Sequence, residues 1–301
     1  MKVLVITGDR SFKPGHPRHD LQASVVEKLS VVYWGRGSFW PPLPEGQYDV
    51  VTAQDPFWRG LFAWMVAKRI GASFNVQVHA DLSGQSFAKK FVSKVVLRHA
   101  HSVRAVSEKI KLQVERVGVR APIAVLPVFV DIAQYTSVVR RPHTAKNILW
   151  LGRFEEEKNP LAAIEILKEV LQKVPEARLT MLGAGSLGQE VSQSAANLPI
   201  QAIEVLRWQP NPAVFLETAD VVLCTSLYES WGASIVEALA AGVPVVAPDV
   251  GVAKEAGATV VPRAQLAEAV AQVLEGGGVG VLKLSLPGAQ EWAQEWKKTL
   301  Q

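Results

Sequence analysis

This sequence contains almost no cysteine and no long apolar run. Cys224 is the single cysteine among 301 residues, which excludes a disulfide framework and a cysteine metal site. The longest apolar stretches fall far short of the ~18 residues that a membrane-spanning helix needs. The opening MKVLVITGDRS has an apolar centre too short for a signal peptide and is predicted to be a strand. We therefore expect a cytoplasmic protein.

Acidic residues are scarce in the first half of the chain. Residues 1–140 hold 19 Lys/Arg against 10 Asp/Glu, a net charge of +9. Residues 141–301 hold 13 against 18, a net charge of −5. Opposite signs in the two halves indicate two domains with different partners. The basic half could face nucleic acid, anionic lipid or a phosphorylated substrate, or carry only scattered solvated cations.

Short apolar runs alternate with longer amphipathic segments along most of the chain. The predicted strands include KVLVIT (2–7), VVYW (31–34), DVVTAQ (49–54), FNVQVHA (74–80), NILWLG (147–152) and DVVLCTS (220–226). The predicted helices include residues 19–29, 58–71, 87–100, 159–175 and 263–278. This alternation predicts parallel sheets with helices on both faces.

The stretch SVVRRPHTAKN (137–147) interrupts the alternation with charges, a proline and no periodicity. The predicted parts are therefore an N-terminal domain of residues 1–138, a linker of residues 139–146 and a C-terminal domain of residues 147–285. Residues 286–301 form an amphipathic helix with Trp292 and Trp296 on one face, predicted to pack back toward the N-terminal domain. Because doubly wound sheets bind ligands beyond the carboxyl ends of their strands, we expect the domains to face a central cleft.

Two cations follow a predicted strand in LGRFEEEKN (151–159). Arg153 can bind a diphosphate by its fork and Lys158 as a point charge. Three glutamates lie between them, so a surface Arg–Glu cluster is the alternative. Gly183 lies in MLGAGSL (181–187), a turn that can hold phosphate or ribose, or be a tight turn and nothing more.

Residues 228–250 read YESWGASIVEALAAGVPVVAPDV, an apolar run with two acids. Gly232 is predicted to leave the start of a helix open, where free N–H groups suit a phosphate. Helical side chains lean toward the N-terminus, so the carboxylate of Glu237 points at the same place, and Glu229 borders it from the preceding loop. A buried carboxylate needs donors, which ribose hydroxyls would supply. A backbone or arginine partner is the alternative.

These residues resemble the nucleotide-sugar site of family 4 (group 1) retaining glycosyltransferases. Glu229 and Glu237 match the E-x7-E motif of that family, and Arg153 and Lys158 match its GR…K pair. A looser similarity runs through DVVTAQDPFWRGLFAWMVAKRIGASFNVQVHADL and SVRAVSEKIK, so that most of residues 1–260 are covered. The resemblance implies an α/β GT-B fold with two Rossmann-like, doubly wound parallel-sheet domains.

The resemblance also implies roles for the matched residues. Arg153 and Lys158 would bind the donor diphosphate, Glu229 the transferred sugar and Glu237 the ribose. His79 matches the active-site histidine that faces the donor sugar, and completes the predicted catalytic set of Glu229, His79, Arg153 and Lys158. Further donor contacts are predicted for Gly15, Gly183, Trp208, Gly232, Ala233 and Ser234.

The implied reaction is the transfer of a hexosyl unit, with retention, from a UDP- or GDP-sugar to a glycan or lipid-linked acceptor in cell-surface polysaccharide synthesis. The leaving phosphate assists the acceptor on the same face of the sugar, and no metal, other cofactor or nucleic-acid partner is expected. The glycine-rich loop of the family is reduced to KPGHPR (13–18). A non-catalytic sugar-nucleotide binder therefore stays open as an alternative, beside a GT-B epimerase or phosphorylase.

The predicted helix FAKKFVSKVVLRHA (87–100) is relevant to where in the cell the protein works. It carries cations on one side, and Phe87, Phe91 and Val95 on another. One interpretation is a helix that rests on an anionic membrane, which would make the protein peripheral at the cytoplasmic face. The other is ordinary packing of the apolar side against the sheet.

Overall fold

The computed structural model describes residues 1–35, 45–209 and 211–301. They form two compact units, one of Met1–Phe129 with Leu286–Gln301 and one of Val130–Ser285. Each unit contains one six-stranded sheet in which the paired strands are parallel. The predicted pair of doubly wound parallel sheets is confirmed. In the part of the chain described, no helix is long and apolar enough to cross a membrane.

The first unit alternates strands with helices. Its elements are β1 (Lys2–Thr7), α1 (Pro17–Ser24), β2 (Lys28–Tyr33), β3 (Val50–Ala53), α2 (Trp58–Ile70), β4 (Ser73–Val78), α3 (Phe87–Arg98), β5 (Ser102–Ala105), α4 (Glu108–Arg116) and β6 (Ile123–Val125). The strand order is β2-β1-β3-β4-β5-β6. It reverses between β1 and β3, the kind of switch point at which doubly wound sheets bind ligands.

The predicted helix over residues 19–29 is wrong at both ends. The structure begins α1 at Pro17, whose fixed φ suits the first helical turn, and ends it at Ser24. Residues from Lys28 onward instead join β2, where Lys28 pairs with Lys2 of β1. The apolar residues of this segment fit a helical period and a strand period equally well, and the pairing with β1 decides between them.

The second unit repeats the same alternation. Its elements are α5 (Ile132–Thr136), β7 (Lys146–Leu151), α6 (Pro160–Leu171), β8 (Ala177–Leu182), α7 (Gly188–Ala195), β9 (Ile203–Leu206), α8 (Ala213–Leu216), β10 (Val221–Leu223), α9 (Ala233–Ala240), β11 (Val245–Ala247), α10 (Ala253–Ala256), β12 (Thr259–Val260) and α11 (Leu266–Gly276). The strand order β12-β11-β10-β7-β8-β9 reverses between β7 and β10.

The boundary between the units differs from the predicted linker of residues 139–146. It falls between Phe129 and Val130, so the predicted linker lies wholly in the second unit. Arg140 Nη1 donates to the carbonyl oxygen of Leu216 at 2.7 Å, and the N–H of Arg141 donates to that of Glu217 at 2.8 Å. Polar, aperiodic residues are held here by hydrogen bonds to backbone carbonyl oxygens, which leave no hydrophobic pattern in the sequence.

The last helix, α12 (Ala289–Lys298), belongs to the first unit. Trp292 and Trp296 are fully buried in one core cluster with Val3 and Val5 of β1. Trp292 Nε1 also donates to the carbonyl oxygen of Pro127 at 2.8 Å. Two buried indoles contribute a large apolar area, so the core of the first unit depends on α12.

Candidate functional site

The loops that follow β7 and β10 leave the second sheet side by side, because these strands pair directly. A chain of hydrogen bonds joins the two loops. Trp150 Nε1 donates to Thr225 Oγ1 at 2.9 Å, and the Thr225 hydroxyl lies 2.9 Å from the carbonyl oxygens of both Lys158 and Asn159. This contact fixes the turn that carries Lys158 against the end of β10.

Lys158 and Glu229 form an ion pair between these loops. Ser226 Oγ donates to the same carboxylate oxygen, Glu229 Oε1, at 2.8 Å. Only 20% of the Lys158 side chain and 10% of the Glu229 side chain are exposed. Because removing one partner of a buried ion pair leaves an uncompensated charge, the two groups hold each other in place.

Arg153 is also paired, but at the surface. It bonds to Glu157 four residues on, and 70% of its side chain is exposed. Glu155 points elsewhere and accepts hydrogen bonds from the N–H and hydroxyl of Ser186, at 2.9 and 2.7 Å. The Arg–Glu cluster named as the alternative therefore exists in the free chain, with Arg153 still accessible.

The helix α9 begins at the same place. Gly232 precedes it with φ 97°, a left-handed conformation that favours glycine. Ala233 and Ser234 open the helix and are half-buried. The first N–H groups of a helix have no partner within it, and they attract anions. Gly251, in the loop after β11, has φ 52°. A Cβ at this position would lie 2.2 Å from the carbonyl oxygen of Trp231, so the glycine lets this loop pack against the residues just before α9.

Glu237 lies one turn into α9, where burial raises its pKa to about 7. Tyr135, from α5, makes a side-chain hydrogen bond to this carboxylate, which lowers the Glu237 pKa against the effect of burial. Burial, and then the charge of Glu237, raise the pKa of the Tyr135 hydroxyl, so the phenol remains protonated and donates. The partner of Glu237 in the free chain is thus a tyrosine.

The sequence did not predict the contacts that Tyr135 makes with Glu237 and Arg263 makes with the loop carrying Glu229. Arg263 Nη2 donates to the carbonyl oxygens of Ser226 and Leu227, at 3.0 and 2.7 Å, and so braces the loop that carries Glu229. Both residues lie far along the chain from the acids they support. A cation just after the last strand, in VVPRAQ, is the only local signal that could have pointed to Arg263.

Gly183 and Trp208 are placed differently from the other predicted donor contacts. A Cβ at Gly183 would lie 2.2 Å from the carbonyl oxygen of Gly152, so this glycine lets two loops of the sheet pack together. Trp208 follows the edge strand β9 and is 54% exposed. Three strand spacings, roughly 14 Å, separate β9 from β10, the strand that leads to Glu229.

His79 belongs to the first unit, directly after β4. Its Nε2 lies 3.5 Å from Nη1 of the buried Arg104. Burial, and then the charges of Arg104 and Arg18, hold the His79 pKa well below its usual range. The ring is therefore neutral and offers one donor and one acceptor.

Arg104 is held by oxygens that carry no full charge. It donates to the carbonyl oxygens of Leu126 and Pro127, at 3.0 and 2.6 Å, and to Gln77 Oε1 at 2.7 Å. Burial lowers its pKa to about 9. This uncompensated cation is the second reason that His79 stays neutral.

Gly15 is exposed, with φ 89°. Its N–H, the group predicted to approach phosphate, is engaged by Asp20: the two carboxylate oxygens lie 3.1 and 3.2 Å away. A phosphate would have to displace this carboxylate to reach the N–H.

The second unit thus brings four kinds of group together at the carboxyl ends of its strands. They are two cations (Arg153 and Lys158), two acids (Glu229 and Glu237), the N–H groups that begin α9, and the braced loop between β10 and α9. Cations and helix N–H groups bind phosphates, whereas carboxylates accept hydrogen bonds from hydroxyls. A ligand with both a phosphate and hydroxyl groups fits this arrangement.

Comparison with known proteins shows which family and fold this chain is similar to. The family model described as "Glycosyl transferases group 1" matches residues 131–279. The alpha-monoglucosyldiacylglycerol synthase of Streptococcus pneumoniae is 24% identical over 228 residues, covering 67% of this chain and 52% of the relative. The phosphatidyl-myo-inositol mannosyltransferase of Mycobacterium tuberculosis is 29% identical over 222 residues, covering 69% and 56%. The chain spans about half the length of these curated relatives.

Solved structures show the same fold. Anabaena HepE in complex with UDP-glucose superimposes with a TM-score of 0.73 over 100% of this chain and 96% of that protein, at 17% identity. The lipopolysaccharide galactosyltransferase WaaB gives a TM-score of 0.64 over 99% of each chain, at 18% identity. Residues 131–279 therefore match the group 1 glycosyltransferase model, and the fold of the chain is that of the GT-B glycosyltransferases.

Proposed function

We propose that this protein is a retaining glycosyltransferase that moves a hexosyl unit from a UDP- or GDP-sugar to a glycan or lipid-linked acceptor, in cell-surface polysaccharide synthesis. The observation that carries the proposal is the Lys158–Glu229 ion pair beside the start of α9, where β7 and β10 end. This ion pair brings a cation that can bind phosphate into contact with an acid that can bind hydroxyl groups. Glu237, one helical turn further, is assigned to the ribose.

In the proposed reaction the bond between the anomeric carbon and the phosphate oxygen breaks. The acceptor hydroxyl oxygen forms its bond to that carbon on the same face, and its proton passes to the leaving phosphate. Arg153, Lys158 and the N–H groups of α9 stabilise the negative charge that develops on the diphosphate. Since this chain's own cations do so, we expect the rate to be insensitive to EDTA. His79, neutral beside Arg104, is assigned to the transferred sugar.

The relatives support the choice of substrates. Both curated relatives are named for reactions on lipids. HepE was solved with UDP and with UDP-glucose. A UDP-sugar is accordingly the first donor to test and a lipid-linked glycan the first acceptor. On this proposal the protein works in the cytoplasm, at the membrane face where such acceptors are presented.

Two substitutions test the assignment of the acids. Glu229→Ala is expected to abolish transfer, because it removes the sugar contact and leaves Lys158 unpaired. Glu237→Ala is expected to weaken nucleotide binding chiefly, by about tenfold or more, as the loss of a charged hydrogen bond implies. Turnover is measured by release of UDP with acceptor present, and binding by calorimetry. The matched control is Glu165→Ala, which removes an exposed glutamate of α6 that pairs with Lys168. Unchanged turnover in both variants would contradict the proposal.

The engaged N–H of Gly15 favours one competing function, a non-catalytic binder of sugar nucleotides. Donor hydrolysis separates the two. Slow release of UDP or GDP without acceptor indicates an enzyme, whereas tight binding without any turnover indicates a binder. A GT-B epimerase would instead convert the donor into an isomeric sugar nucleotide, which NMR spectroscopy of the products detects. A thermal-shift screen of UDP-, GDP- and ADP-sugars identifies the base beforehand.

A further inference from the structure

Two neighbouring helices of the first unit expose large apolar side chains to solvent. On α3, Phe87 is 86% and Phe91 63% exposed; on α2, Trp58 is 54% and Met65 40% exposed. Scattered single apolar residues on a surface need no explanation. Here, however, each helix carries two such residues on one face, at spacings of four and seven.

The exposed face of α3 is distinct from the face that packs on the protein. Its buried residues are Val92, Ser93, Val96 and Leu97. Phe87, Lys90, Phe91 and Lys94 are exposed at positions i, i+3, i+4 and i+7, which form one stripe along a helix. Packing of both phenylalanines against the sheet, the alternative raised by the sequence, is therefore wrong. The helix has a second apolar face that meets solvent.

Charge on these helices is of one sign. Together α2 and α3 carry seven Lys/Arg and no Asp/Glu. Six of the seven are exposed: Lys68, Arg69, Lys89, Lys90, Lys94 and Arg98. The seventh, Arg59, pairs with Asp55. A face this basic complements an anionic partner.

The two helices pack side by side, and contacts join them near both ends. The Lys89 ammonium lies 5.4 Å from the ring centroid of Phe57, just before α2. Trp58 and Lys89 also line one pocket of about 450 Å³. At the other end, the rings of Trp64 and His99 are 4.2 Å apart. We call the exposed side of α2 and α3 the α2–α3 surface.

We propose that the α2–α3 surface binds an anionic lipid bilayer, with Phe87 and Phe91 inserted at the boundary of headgroups and acyl chains. Aromatic residues flanked by lysines on the outer face of a helix are typical of helices that lie in a membrane interface. The lysine stems extend along the apolar boundary while their ammonium groups reach lipid phosphates. Single-stranded nucleic acid also meets aromatic and basic residues, but in a groove that follows its backbone, whereas these side chains project from a helix face.

The inference deepens the proposed function, and rests on it only in placing the acceptor at the membrane. Its test uses the full chain and vesicles of phosphatidylcholine, with and without one third phosphatidylglycerol, in a sedimentation assay at low and high salt. We expect binding to the vesicles with phosphatidylglycerol, weakened by salt, and little binding to phosphatidylcholine alone. Failure to bind the anionic vesicles at low salt would overturn the inference.

Paired variants test the residues. Phe87→Ser with Phe91→Ser should lower the partition coefficient roughly tenfold or more, because two phenyl rings no longer insert. Lys90→Glu with Lys94→Glu should lower it at least about fivefold for each lysine lost. The matched controls lie in the second unit: Ile200→Ser, at a residue 92% exposed, and Arg178→Glu, also exposed. Both controls should bind like the unchanged chain.

Binding to single-stranded DNA and UDP-induced thermal stabilisation are two further measurements. Equal binding of the phenylalanine variant and the unchanged chain would overturn the inference. So would stronger binding to a short single-stranded DNA than to the vesicles, which would assign the surface to nucleic acid. UDP-induced thermal stabilisation is measured in every variant. A chain that binds UDP and transfers sugar to a soluble acceptor but ignores vesicles loses only this inference, whereas the proposed function fails if transfer itself is missing.

Discussion

At the scale of single residues, both cations of the proposed donor site pair with a carboxylate of the chain. Lys158 pairs with Glu229, and Arg153 pairs with Glu157. On the proposed function, a diphosphate competes with these carboxylates for both cations. The part-buried pair is fixed by Ser226 and by the turn at Thr225, whereas the exposed Arg153 can leave Glu157 at little cost. Arg153 is thus the cation most free to follow the diphosphate.

Nucleotide binding should depend on pH through Glu237. Its pKa is about 7 in the free chain, and ribose hydroxyls donate to the ionised form. Below that pH the carboxyl is protonated and must lose its proton on binding, so the affinity for UDP should be about tenfold lower at pH 6 than at pH 8. Calorimetry across this range measures the effect. An affinity that does not change with pH would contradict the assignment of Glu237 to the ribose.

Tyr135→Phe tests the cause of that pKa. The tyrosine hydrogen bond lowers the Glu237 pKa, so its removal should raise this pKa and move the midpoint of UDP binding to higher pH. Tyr48→Phe is the control, since Tyr48 bonds to Ser30 in the first unit. A midpoint that stays in place, or moves to lower pH, would show that Tyr135 does not set the ionisation of Glu237.

Much of this site could be predicted from local sequence, because its groups follow strands and open a helix. Glu237 lies on α9, and Arg153, Lys158 and Glu229 lie in the loops after β7 and β10, elements that the apolar pattern located. Tyr135 could not be found that way, because it reaches Glu237 from a helix far earlier in the chain. Only the packing of α5 against α9 makes the contact, and a single sequence holds no record of it.

At the scale of elements, two glycines of the second unit differ in the space available for a side chain. Gly183→Ala would place a Cβ 2.2 Å from the Gly152 carbonyl oxygen, and the backbone on both sides would have to shift. We expect a loss of about 1–3 kcal/mol in the free energy of unfolding. Gly276, the last residue of α11, has no atom within 4 Å of such a Cβ, so Gly276→Ala should be neutral or stabilise the unit slightly.

Urea denaturation followed by tryptophan fluorescence compares these two variants. Equal stability of Gly183→Ala and the unchanged chain would mean that the loops after β7 and β8 can separate without cost. Sequence reasoning assigned Gly183 to the donor, because a glycine after a strand can mean either a ligand or a close approach of backbone. A Cβ at Gly183 would lie 2.2 Å from the Gly152 carbonyl oxygen, so the close approach of backbone is present, and the donor contact stays a prediction.

At the scale of the whole molecule, the sequence predicted two sheets correctly but placed their boundary too late. Charges and a proline suggested a linker at 139–146, yet these residues are bonded into the second unit. The aromatic pattern of α12 was the more informative signal. Two tryptophans four residues apart need one buried surface, and the first unit supplies it.

Trp296→Ala should destabilise the first unit alone. Removal of a fully buried indole costs about 3–5 kcal/mol. Hydrogen exchange separates the units: amides of β1 should exchange faster in the variant, while those of β7 and β8 should not change. Trp208→Ala, at an exposed tryptophan, is the control and should leave both sheets unaffected. Faster exchange in both sheets would mean that the units unfold together.

The place of α12 also sets an order of events during synthesis. Residues 1–129 leave the ribosome first, but their core lacks Trp292 and Trp296 until the last part of this sequence has been made. Residues 130–285 form one continuous stretch and have all their partners earlier. The later-made unit should therefore reach its native state first, while the earlier one waits with apolar surface exposed and open to chaperones. Folding on the ribosome would then run against the direction of translation.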